Sequence, residues 1–427
     1  MNESRQRWAR ILAVGLVVTL VATACGSKNK SDSAGKDDID TTVPTTVAAK
    51  ATIPDSTVGV TDTEVHIGIH VPETRGGIAL GSILGIQDLS KAYWAAVNKG
   101  GGINGRTVVA EFADDGYDVA KALDACRELE SRNVLFISGT SGADQIVACG
   151  QYALGKNIPY LSLGVSEAGL TDQPGYRALT NTYDRQAKLA AQYIVNDLDG
   201  KTKKTAMVMF NSPNVEGARK VFRDELKRLG GTLAADDLVD KQGNANELAA
   251  ECLKLKQANA EVVFFLALPT IASTMARSCA EQGYKPQFLM PANSAACGYS
   301  DPIYAAELSG CLGFAAIKVA RESGSPLVEQ AHSAWKETFG DRAFPSDGEL
   351  LWGLFDIYRE AIEKAGKNLS RRTFLDALDN MKGYDNKLFN PIDFKGTNIA
   401  SDSVVVQRAD KSKMQFDQVV GEWTNKF

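Results

Sequence analysis

Three histidines, two adjacent aspartates, one serine-bearing glycine loop and seven cysteines are the residues of this chain whose types and spacing could do chemistry. His66 and His70 stand four apart in EVHIGIH, on one face of a strand, a spacing that could hold a metal ion. His332 is the only other imidazole, so packing and a loop-edge position are the simpler reading and no metal set is expected. Asp114 and Asp115 could act as paired carboxylates, but nothing around them in the sequence suggests an acid partner, and they read as a strand terminus and turn. Ser141 in Gly139-Thr140-Ser141-Gly142 is not framed by the G-x-S-x-G turn of a hydrolase nucleophile, and the histidines are too few and too early to complete a triad. No catalytic constellation and no cofactor motif results.

Cys25 stands apart from the other six cysteines, Cys126, Cys149, Cys252, Cys279, Cys297 and Cys311. An even number in an exported chain favours disulfides, with 15 connectivities open. Pairing of sequence neighbours is the simplest expectation. Cys126 with Cys149 and Cys252 with Cys279 would each join consecutive helices around a strand, and Cys297 with Cys311 would clip a loop. Zinc is the rival reading, but the spacings are not the short C-x-x-C pairs that metal sites favour.

The head of the chain supports export. Residues 1–10 carry three arginines, residues 11–22 (ILAVGLVVTLVA) are almost wholly apolar, and Thr23-Ala24-Cys25-Gly26 follow. The apolar run is short for a membrane span. A cysteine at the cleavage point resembles a bacterial lipoprotein signal, which implies a lipid on Cys25 after removal of residues 1–24. Residues 25–60, with SKNKSDSAGKDD and TTVPTTVAAKATIPDST, lack apolar periodicity and read as a disordered tether. The formal charge is −5, and loss of residues 1–24 removes three arginines and one glutamate, leaving −7. No basic stripe appears, so nucleic acid is excluded as a partner.

The body must supply the scaffold, and it alternates strand and helix. Glu64–His70, Thr107–Phe112, Val134–Ser138 and Ile158–Ser162 are short apolar strands. Helices are expected over 85–98, 119–130 and 143–154. A second series follows Asp184, with strands at 205–210, 232–238, 262–266 and 287–290 and helices at 215–229, 246–258 and 271–282. A junction helix at 186–195, a long helix over 347–366 and a closing hairpin from Ser403–Arg408 and Met414–Val419 complete the set. Unbroken apolar strands between helices predict parallel sheets covered on both faces. One sheet of nearly ten strands would exceed a usual open sheet, so two similar lobes are expected.

In this order, VHIGIHVPETRGG, AVNKGGGINGRTVVAEFADDGYDVAKALDACREL, VLFISGTSGADQIVACGQYALGKNIPYLSLGVSEAGLT and LWGLFDIYREAIEKAG resemble the periplasmic-type solute-binding proteins of branched-chain amino acid and amide ABC transporters. The resemblance runs from about residue 62 to 427. It implies an α/β fold of two lobes joined by three crossover segments, with ligand in the cleft between them. Lobe 1 would hold residues 61–183 and 313–385, and lobe 2 residues 184–312 and 386–427. It also implies an ABC permease as membrane partner, a monomer, and a place on the outer face of the bacterial cell membrane. A sensor that presents its closed form to a receptor, or a carrier of branched-chain amino acids, is the alternative within the same fold.

Parallel sheets bind ligands at the carboxyl ends of their strands. In lobe 1 that points to Ser141, Gly142 and Ala143; the last stands where the family carries a carboxylate-binding serine. Gly164 and Ser166 match positions that hold a ligand ammonium and carboxylate, and Tyr183 would add a wall. Lobe 2 would contribute Asn214, Ala267, Pro269 and Asn293. The family member for leucine has a glutamate where Asn293 stands, so an aromatic or alkyl carboxylic acid, or an amide, is expected over a plain aliphatic amino acid unless Glu73 or Glu216 restores the charge.

Overall fold

The computed structural model describes residues 52–75, 78–79, 85–140, 142–163, 169–241, 243–291, 306–345, 348–394, 396–410, 412 and 415–427. All fall in one contact unit, Lys50–Phe427. Cys25, Ser141, Gly164, Ser166, Asn293 and Cys297 lie outside the described residues.

The strands are β1 (Glu64–Val71), a small antiparallel pair β2 (Thr74–Arg75) and β3 (Ile78–Ala79), then β4 (Thr107–Asp114), β5 (Ile137–Gly139), β6 (Tyr160–Ser162) and β7 (Tyr176–Ala178). Beyond them come β8 (Lys204–Phe210), β9 (Thr232–Val239), β10 (Val262–Leu266), β11 (Gln287–Met290), β12 (Leu312–Ala315), β13 (Val404–Asp410) and β14 (Gln415–Thr424). Two main sheets result. The first runs β4-β1-β5-β6-β7 and is parallel throughout; the second runs β14-β13-β12-β11-β10-β8-β9 and is parallel except where β13 and β14 close it. This is the bilobed α/β architecture expected from the alternating pattern.

The strands are apolar on both faces because helices cover both. On one side of the first sheet, α1 (Ile86–Lys99) packs with three later helices that stand here as α9 (Pro326–Phe339), α10 (Gly348–Ala365) and α11 (Arg371–Asp379). Phe136 stacks on Phe374 with ring centroids 4.6 Å apart, and Tyr93 meets Trp352 edge-on at 4.8 Å. On the other side lie α2 (Val119–Ser131) and α3 (Ala143–Gly155). The second sheet is covered by α4 (Tyr183–Asp197) and α5 (Glu216–Arg228) on one face, and by α6 (Ala245–Gln257) and α7 (Pro269–Glu281) on the other. A short α8 (Ala320–Ser323) precedes α9. Helix starts follow from sequence: Asp118 accepts from the Ala120 and Lys121 amides, and Asn244 from those of Asn246 and Glu247.

Two disulfides join the helices as neighbour pairing predicts. Cys126 of α2 is bonded to Cys149 of α3, and Cys252 of α6 to Cys279 of α7, with Cα separations of 5.6 and 5.1 Å. Cys311 is also disulfide-bonded.

The chain passes between the sheets three times: after β7, after β12 and ahead of β13. The first follows Ala178 and the second follows Ala315. The third differs. Leu388, Phe389, Ile392, Phe394 and Ala400 pack in the core of the first sheet, and Ile399 bridges Ala178 of β7, so residues 388–400 belong with the first lobe rather than the second. They have no helical or strand run to reveal them. Buried Arg177 holds them instead, donating to Asn398 Oδ1 and to both oxygens of Asp379.

Candidate functional site

The carboxyl ends of β5 and β7 in lobe 1, and of β8 and β10 in lobe 2, carry the described candidate residues. The lobe 1 loop begins at Gly139. A Cβ there would collide with Tyr160 Oη and His70 Nε2, so the close approach requires glycine. His70 lies between two partners: Nδ1 is 2.8 Å from Asp115 Oδ2, and Nε2 is 2.7 Å from Tyr160 Oη. Burial pushes the Tyr160 phenol well up, so it keeps its proton and can donate to Nε2, which turns the Nδ1 hydrogen toward Asp115. Asp115 Oδ1 accepts from the Tyr117 amide at 2.9 Å. The two strand histidines thus serve different carboxylates, since His66 faces Glu64 and Glu111.

Asp114 ends β4 as a turn residue. Burial alone would raise its carboxyl, but bonds from Thr74, Gly116 and Glu73 hold it below its ordinary value. Glu73 is pushed up, first by burial and then by Asp114 and Asp88. Glu216 pairs with Arg219 and Arg223.

Gly142 takes φ 81° and leads into α3 without any side-chain cap. Ala143 is buried in the first turn. Next to this uncapped end, Thr140 is 9% and Gln145 1% exposed, and Thr140 Oγ1 and Gln145 Nε2 have no hydrogen-bond partner. The amides of a helix start and two unmatched polar atoms favour an incoming oxygen acceptor.

Asp144 reaches across from lobe 1 to lobe 2. Its Oδ1 accepts from Ser212 Oγ at 2.7 Å and from Asn214 Nδ2 at 2.7 Å, and its Oδ2 accepts from Lys241 Nζ at 2.8 Å. Burial acts to raise this carboxyl, but Lys241, Ser212 and Asn214 outweigh it and hold it below its ordinary value. Asn214, expected to face ligand, is therefore committed to Asp144. Tyr183 is buried at the start of α4, with its ring 6.4 Å from that of Phe210 at the end of β8. Beside it, burial pushes Asp184 up, and a Cβ on Gly217 would lie 2.8 Å from Asp184 Oδ1.

Gly142, Ala143, Asn214 and Tyr183 are thus set around the Asp144 bridge and the start of α4. Ala267 is buried in the core of the second lobe, and Pro269 opens α7. The sequence offers no sign of Asp144 or Lys241, whereas Ser212 lies in the Asn211–Val215 segment expected at the cleft. An acid in a first helical turn reads as a partner of the helix dipole, so GADQ carries no mark of a bridge.

Comparison with known proteins agrees with the bilobed fold. The family model for periplasmic binding proteins matches residues 64–413. The Leu/Ile/Val-binding protein homolog 1 of Brucella abortus (strain 2308) is 26% identical over 316 residues, covering 71% of this chain and 80% of that protein. The fatty acid ABC transporter substrate-binding protein from Thermomonospora curvata superposes with TM-score 0.72 at 20% identity, over 88% of this chain and 97% of that one. A solute-binding protein of an ABC transporter from Rhodopseudomonas palustris BisB5, in complex with 3,4-dihydroxybenzoic acid, gives TM-score 0.69 at 17% identity, over 85% and 98%.

Proposed function

The chain belongs to the periplasmic binding protein family, as an extracytoplasmic ABC-transporter substrate-binding protein for a small organic solute, and we propose that this solute is a small carboxylate with an apolar body, branched-chain amino acids foremost. The observation that carries the reading is the uncapped start of α3 beside Thr140 Oγ1 and Gln145 Nε2. An unmatched buried polar atom costs about 1–3 kcal/mol, and a carboxylate oxygen placed there would relieve it. The Leu/Ile/Val-binding relatives favour an aliphatic amino acid.

A second reading rests on Asn293. An amide in place of an acidic residue leaves a ligand ammonium without a counter-charge there, which favours an aromatic or alkyl carboxylic acid or an amide. In either case, closure around the solute would present the lobes to an ABC permease, with a monomeric body tethered by a lipid on Cys25.

Calorimetry on the purified chain separates the readings. Leucine, isoleucine and valine would be titrated beside 4-methylpentanoate, benzoate and isobutyramide. Saturable binding of an amino acid, with loss on removal of its amine, supports the first reading. Binding of 4-methylpentanoate or benzoate in preference to leucine supports the second. Binding of the amide alone overturns the carboxylate.

A further inference from the structure

We propose that Asp144 is an interlobe latch, a positioning residue whose carboxylate stabilises the closed cleft before any solute arrives. Its backbone belongs to α3 of lobe 1, while Ser212 and Asn214 follow β8 and Lys241 follows β9 in lobe 2. Both oxygens are engaged, and the side chain is 16% exposed, so water competes poorly for them. The receiving loop is shaped in advance, because Ser212 Oγ also accepts from the Asn214 amide at 3.1 Å.

Hinge motion that parts the cleft must pull Asp144 away from three donors at once. The hinge segments themselves are tied elsewhere, through Asn181 to Ser403 and Gln407 to Ile317. The latch therefore acts on the opening equilibrium and not on the folding of either lobe. Charge-assisted bonds of this kind shift such an equilibrium by roughly tenfold or more. The anion that draws lobe 2 inward is thus supplied by the chain, and the solute need not carry it to Lys241.

Small-angle X-ray scattering of the solute-free protein tests this, so a failure here leaves the ligand reading untouched. Asp144→Ala and Lys241→Met should each raise the radius of gyration while circular dichroism stays native. The double variant should open little further than Asp144→Ala alone, because that change already removes the bond that Lys241 makes. Unchanged radii in both single variants, or fully additive opening in the double, would overturn the proposal. If Asp144→Ala fails to fold, Lys241→Met, on a side chain 34% exposed, carries the test alone.

Discussion

His70 and Asp115 meet at 2.8 Å with both side chains wholly buried, directly beneath the loop that opens the lobe 1 side of the cleft. Their contact links β1 to the end of β4, and Tyr160 extends it to β6. Three strands are thereby held in fixed register under Gly139. Asp115→Ala would leave the imidazole and the Tyr117 amide without their acceptor. The expected loss is about 3 kcal/mol in urea unfolding, since a buried polar partner is orphaned. Gly139→Ala should weaken solute binding in calorimetry as well, because the added methyl displaces Tyr160 or His70. Unaltered stability in Asp115→Ala would show that the network is dispensable.

Glu251 gives a pH signature. Burial, and then the charge of Asp237, push its carboxyl up to about 7. A folded-state value above the unfolded one means that the protonated form is favoured on folding. The stability this contributes is full below about 4.5 and is lost as pH rises through 7. Glu251→Gln should therefore melt higher than the parent at pH 8, by roughly 1 kcal/mol after allowing for solvent screening, and equal it near pH 4. Equal melting temperatures at both pH values would rule this out.

Arg177 makes a sharper demand. It is 2% exposed in β7 and grips Asp379 by two bonds, at 2.6 and 2.7 Å, while also reaching Asn398. Arg177→Met should cost about 1–3 kcal/mol, because it removes two bonds from the Asp379 carboxylate and one from Asn398 and frees residues 388–400. Limited proteolysis should then cut first within that segment. Cutting elsewhere, with the segment still protected, would speak against this anchoring.

The two disulfides should each contribute about 3 kcal/mol. Replacing Cys252 and Cys279 together by alanine should lower the unfolding midpoint under oxidising conditions, and the Cys126/Cys149 replacement should do the same. Reducing agent should then narrow the gap between each variant and the parent. A midpoint unmoved by either replacement would mean that packing alone fixes these helix pairs.

Much of the scaffold was legible from residues. VVFFL is buried throughout, and TAMVMF is buried up to its half-buried last residue, because helices cover both faces of their sheet, and that coverage leaves an uninterrupted apolar string. The helix pairs were legible for the same reason, which brought Cys126 to Cys149 and Cys252 to Cys279. β7 carries no strand signal in the sequence because it has three residues and holds Arg177 at its centre. The third passage was placed near 385 instead of just ahead of Val404, because residues 388–400 are fixed by tertiary bonds with no periodic pattern of their own. Of the candidate site, the glycine loop could be read from its turn chemistry. The Asp144 bridge could not, since its donors lie 68, 70 and 97 residues away and nothing local marks them.

The spacing of the disulfides bears on how the chain matures. Each of the two closes a span of 23 or 27 residues, about one strand and its flanking helices. Both thiols of a pair emerge together during export, so the correct partner is also the first one met. Oxidation can then keep pace with threading across the membrane, with little call for later reshuffling by an isomerase. Neither of these two cross-links joins one sheet to the other, so each stiffens its own half and leaves the joint between the halves free to bend.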